Sequence, residues 1–199
     1  MRLPLLVGLA VAASPLPATA QLSVRLGAGA TLGHSLVSQA TLYDDLVSLK
    51  TGTAPTLVVG LGYPIAPRYR LVAEARVASS SMTATSNAGS NDLGTLRTVT
   101  VALLAEGPLP YHLRFQVGGG MIKYSPSEAT GVFADDAPMK PMATAGLGWV
   151  KALRPGLDLS ASARWDLHEF TTAALERRGW SLAQRIHRVA LTIGIERGF

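Results

Sequence analysis

A two-residue period of oily side chains runs through most of this chain. In VALTIGIERGF, residues 189–199, Val189, Leu191, Ile193 and Ile195 alternate with Ala190, Thr192, Gly194 and Glu196, and Phe199 keeps the oily parity. A period of two puts successive side chains on opposite faces, so such a segment is a strand with one apolar face. The pattern recurs and predicts eight strands, at 22–34, 56–65, 68–79, 96–106, 111–123, 140–152, 156–168 and 186–199. Between them no stretch reads as a long helix, and no apolar run reaches the ~20 residues a membrane-spanning helix needs.

The connections alternate in length. PIAP (64–67), GPLP (107–110) and LRPG (153–156) are tight turns rich in Pro and Gly, whereas 35–55, 80–95, 124–139 and 169–185 are long and polar or mixed. Long connections at one end and short turns at the other describe an antiparallel up-and-down meander. Closing the meander into a barrel leaves no strand edge unpaired. The expected fold class is therefore all-β: an eight-stranded antiparallel up-and-down transmembrane β-barrel with short periplasmic turns and long extracellular loops.

Alternation also occurs in soluble barrels, so the second face of each strand must decide. Opposite the oily set of the first strand stand Ser23, Arg25, Gly27, Gly29, Thr31 and Gly33, and opposite that of the seventh stand Asp158, Ser160, Ser162, Arg164, Asp166 and His168. Gly and Ser are weak choices for the wet face of a soluble strand. Inside a narrow barrel, whose lumen side chains must fill, small residues make room for large charged ones. The expected lumen cluster is Arg25, Arg70, Glu74, Arg76, Glu106, Arg114, Asp158, Arg164, Asp166, Arg188 and Glu196, with both signs present. A soluble barrel carrying a small apolar ligand, oily face inward, is the alternative.

The first twenty residues read as an export signal to be removed after Ala20. Arg2 precedes an apolar run over 3–13, and Ala18-Thr19-Ala20 forms a small-x-small cleavage site. The expected organisation is a signal peptide at 1–20 and one barrel domain at 21–199. With no Cys the chain has no disulfide framework and no thiolate chemistry. The net charge of +5 is modest and the basic residues are scattered singly, which argues against nucleic acid as a partner.

Aromatic residues give an independent test of the membrane reading. Tyr63 and Tyr69 flank the first short turn, Tyr111 follows the second, Trp149 precedes the third and Phe199 ends the last strand, all on the oily parity. They are expected to form a girdle at the periplasmic interface, with Trp165 contributing to the opposite one. Together with the leader and the long-short rhythm, this terminal aromatic resembles the small OmpA/OmpX-type outer-membrane barrels over nearly all of 21–199. The resemblance implies that Thr192, Gly194 and Phe199 form part of a signal read by the barrel-assembly machinery, with Arg197 standing where the family pattern has an apolar or aromatic residue.

Chemistry finds little foothold. None of the four His residues sits in the His-x-Ser pair of outer-membrane lipid A deacylases, and adjacent residues such as His34 and Ser35 point to opposite faces of a strand. His168, Glu169 and Thr171 match no motif. The pairs Asp44-Asp45 and Asp135-Asp136 lack the spacing of a calcium loop, and VGGGM (117–121) lacks the Lys and helix of a phosphate loop. No catalytic, metal or cofactor site is expected. Arg177 and Arg178 beside Trp180 are candidates for lipopolysaccharide phosphate. The sequence thus predicts a monomeric outer-membrane barrel with a structural or surface-interaction role and a polar, plugged lumen, surrounded by outer-membrane lipid and lipopolysaccharide. A narrow channel for small solutes and an outer-membrane lipid-modifying enzyme are the remaining alternatives.

Overall fold

The computed structural model describes residues 22–37, 46–86, 89–128, 133, 139–177 and 184–199. The leader at 1–20, both Asp pairs, Arg178 and Trp180 lie outside the described residues. Among these residues the chain forms β1 (Ser23–Thr31), β2 (His34–Val37), β3 (Leu46–Thr51), β4 (Ala54–Ala66), β5 (Tyr69–Ser86), β6 (Gly89–Pro108), β7 (Leu113–Pro126), β8 (Met139–Arg154), β9 (Leu157–Phe170), the short helix α1 (Ala173–Arg177) and β10 (Gln184–Gly198).

Eight of these strands close a ring. Each pairs antiparallel with its neighbours in the order β1, β4, β5, β6, β7, β8, β9, β10, and β10 returns to β1 with Ser23 opposite Gly198 and Thr31 opposite Ala190. These eight correspond to the eight strands predicted. The oily parity faces outward: Leu57 is 66% exposed, Val101 57% and Ile193 59%, while Arg25, Glu74, Arg164 and Glu196 on the other parity are buried. The inward-facing soluble barrel is therefore excluded, because its apolar face would have to be the buried one.

Two expectations about the connections are corrected. The segment 35–55 was expected to be a loop, yet it contains β2 and β3. β3 pairs with the far end of β5, Thr51 opposite Met82 and Leu49 opposite Ala84, and so takes over where β4 stops at Thr56 opposite Ala78. The segment 80–95 is mostly strand as well. β5 runs 18 residues and β6 runs 20, against about 10 needed to cross the hydrocarbon, so their far halves stand above it. Ser, Thr and Asn dominate there and suppress the apolar alternation, but β-branched Thr suits a paired strand and the parity persists inward at Ser80 and Met82.

In VGGGM, neither ladder of β7 has a bulge at Gly118, Gly119 or Gly120. A Cβ at Gly118 or Gly120 would collide with the carbonyl oxygen of Leu103 or Val101 on β6, so glycine there permits close approach of two backbones.

Candidate functional site: a charged lumen under an apolar cap

The inward parity of the ring brings Arg25, Arg70, Glu74, Arg76, Glu106, Arg164, Asp166 and Glu196 into one ladder of ion pairs. Nearest the short turns, Arg25 donates to both oxygens of Glu106 at 3.1 Å and to Glu196 Oε2 at 3.2 Å. Arg70 donates Nε–H to Glu106 at 2.7 Å and pairs with Glu196 through two nitrogens, one bond being 2.9 Å. One layer further, Arg164 pairs bidentately with Glu74, and Arg76 approaches Glu74 at 3.3 Å while donating to Asp166 at 2.7 and 2.8 Å. Planar guanidinium groups match carboxylates in this fork geometry, and each buried carboxylate is satisfied several times over.

Gln116 and Thr144 join the ladder, though neither was picked out from sequence. Gln116 donates to Glu106 at 2.7 Å and accepts from Arg164 at 3.0 Å, linking the two layers; Thr144 donates to Asp166 at 2.7 Å. Their signal was the inward parity itself, which marks neutral polar residues as well as charged ones.

Three predicted members stand apart. Asp158 is half-buried at the short-turn mouth, opposite Glu196 in the register, and forms no ion pair among the described residues because Arg70 is held by Glu106 and Glu196. Arg114 comes within 3.8 Å of Glu196 and remains partly exposed at the same mouth. Arg188 is buried above the ladder, where its Nη2–H donates to Thr98 at 3.0 Å.

Above Arg188 the lumen changes character. Leu36, Leu49, Met82, Leu96, Tyr124, Phe133, Phe170, Leu175 and Ile186 form a buried apolar cap contributed by β2, β3, α1, the far ends of the ring strands and, at Phe133, the connection between β7 and β8. Tyr124 joins the two zones, with its hydroxyl hydrogen-bonded to His168 Nε2 and its ring meeting Phe170 edge-on at 5.2 Å. The expectation of a polar lumen is thereby corrected: the charges are confined to the short-turn half, where Val58, Val72 and Leu104 are buried among them, and apolar groups fill the other. Thr172 caps α1, donating no charge but accepting from the Leu175 amide at 3.3 Å, and this short helix presses Leu175 into the cap.

The remaining residues lie on the wall and rims. Tyr63, Tyr69 and Trp149 sit near the short turns on the outer face, and Trp165 stacks on His187 at 5.5 Å towards the other end. Tyr111 is not in a strand: with His112 it occupies the β6–β7 turn at positive φ, and it is 87% exposed. The tight turn demands that conformation and delays β7 to Leu113. Thr192 faces inward and bonds Ser162 at 2.7 Å, Gly194 faces Gly27 across the β1–β10 seam, and the exposed Phe199 lies under the Arg197 guanidinium at 5.2 Å. Arg177 is exposed at the end of α1.

Within the ladder the cavity bounded by Arg25, Glu74, Gln116 and Ser160 holds about 10 Å³, the room of a single water. Among the described residues no group of three or more His, Asp or Glu is placed to hold a metal ion, and no helix is long and apolar enough to cross a membrane.

No family model matches the chain, and no curated protein matches it by sequence. Solved structures do match. The outer membrane protein OprG from Pseudomonas aeruginosa aligns with a TM-score of 0.59 at 10% identity, covering 90% of this chain and 96% of that one. The outer membrane protein AlkL, determined in lipid bilayers, gives 0.54 at 11% identity with 90% of each chain covered. Neisserial surface protein A gives 0.50 at 12% identity over 89% of this chain and 97% of that one. The chain has the fold of the small eight-stranded outer-membrane β-barrels of the OmpA/OmpX type.

Proposed function

We propose that this protein is an exported outer-membrane barrel whose role is structural or interactive rather than catalytic. The observation that carries the reading is the filled lumen, a ladder of ion pairs at one end and a buried apolar cap at the other, inside a wall whose apolar residues face outward. A lumen so filled conducts only if the ladder rearranges, and therefore the narrow-channel reading is secondary. The outward Leu, Val and Ile hold the barrel in lipid, the ladder sets strand register, and the extracellular connections present the interacting surface. The cleavable leader at 1–20 directs export, Thr192, Gly194 and Phe199 serve recognition by the assembly machinery, and Arg177 and Arg178 are the pair that would bind lipopolysaccharide phosphate. The barrel works as a monomer, since every strand of the ring is paired on both sides.

The test is cell fractionation followed by gel mobility with and without boiling. The protein is expected in the outer-membrane fraction and to migrate differently before and after heating. A soluble periplasmic protein without that shift would overturn the reading.

A further inference from the structure

We infer that the outer wall carries a site for lipopolysaccharide phosphate on β5, β6 and β7, centred on Arg97 and Lys123; this rests on the outer-membrane reading above. On this sector the outward face is apolar through Leu103, Val101 and Met121 and then turns cationic. Arg97 is exposed and lies directly between Ser79 on β5 and Ser125 on β7 in the ladders, while Lys123, also exposed, pairs with Val99 and so stands diagonal to Arg97. Two like charges at diagonal positions repel unless an anion joins them. Neither forms an ion pair among the described residues, and Asp92 on β6 lies five residues beyond Arg97, opposite Thr83.

The outward cations near the long connections gather on one side, with Lys50 on β3 beside β5 joining Arg97 and Lys123. On the same face β1 and β4 carry Ala28, Ala30, Pro55 and Leu57, with no charge, and on the opposite side Arg185 stands across from Glu169 in the ladder. A general basic rim would not be distributed so unevenly. A planar guanidinium, an ammonium and flanking hydroxyl donors fit a phosphate, and the apolar strip beneath fits the acyl chains attached to it. The site lies at the long-connection end, which faces the cell exterior, and charge complementarity there selects lipopolysaccharide as the occupant.

The experiment titrates the folded, detergent-purified protein with lipopolysaccharide and reads bound lipid by native mass spectrometry. The double variant R97Q/K123Q is expected to lose affinity about thirtyfold, roughly fivefold per basic side chain, whereas R185Q and K151Q retain it. Unchanged affinity in the double variant overturns the inference. So does equal loss in R185Q, which would mean a general rim, equal binding of dephosphorylated lipopolysaccharide, or an equal effect on phosphatidylglycerol. Heat-dependent mobility of each variant establishes that it is folded; if the unaltered protein shows no such shift, the barrel reading has failed and not this site alone.

Discussion

Glu106 is the most heavily committed side chain in the lumen. Fully buried, it accepts from Arg25, Arg70 and Gln116, and so neutralises cations from two other strands. Removing one partner of a buried pair strands the other charges in a medium that cannot solvate them. Glu106→Ala is expected to destabilise the barrel by about 3–5 kcal/mol, read by urea unfolding of protein refolded in lipid. Asp158→Ala, at the open mouth and without an ion pair, is expected to stay within about 0.5 kcal/mol. Both carboxylates were legible in sequence as inward-facing charges. Their different weights were not, since partners depend on the stagger between strands, which a single chain does not display.

The β2–β3 hairpin is held partly by His34. Its Nδ1 bonds the Thr51 hydroxyl at 3.0 Å across the hairpin, at the extracellular end of the ring. Burial, and then the nearby Arg188 guanidinium, push its pKa down to about 4 from the ordinary 6.5. A released hairpin takes up the proton near pH 6.5 and a docked one only near 4, so docking is at full strength above about pH 6.5 and weakens as pH falls towards 4. Amide protection over 46–51, taken relative to the intrinsic exchange rate at each pH, is expected to fall as pH drops across that window, and His34→Gln is expected to remove this loss. Sequence reading placed this hairpin in a loop because its strands are short and its neighbours polar. Leu36 and Leu49 become a cap only where Met82, Leu96 and Ile186, distant in the chain, complete it. Met82 continues the inward parity beyond the predicted end of its strand at 79, and Leu96 opens the predicted strand 96–106.

Ring closure is a property of the whole molecule, because the β1–β10 seam joins the first strand to the last. Gly29 pairs with Thr192 there, and a Cβ on it would be driven into the Leu191 carbonyl. Gly29→Val is expected to abolish heat-dependent mobility, whereas Ala28→Val on the exposed outer face retains it; valine suits a strand at either position, so the contrast reads the seam alone. The number of ring strands, the outward oily face and the inward charges were all readable from the chain, because a period of two is a local property and lipid selects one parity along its whole length. Which Arg meets which carboxylate, where polar filling gives way to the apolar cap, and how β3 replaces β4 beside β5 were decided by tertiary structure. These depend on the register between strands far apart in sequence, and the closed ring establishes it.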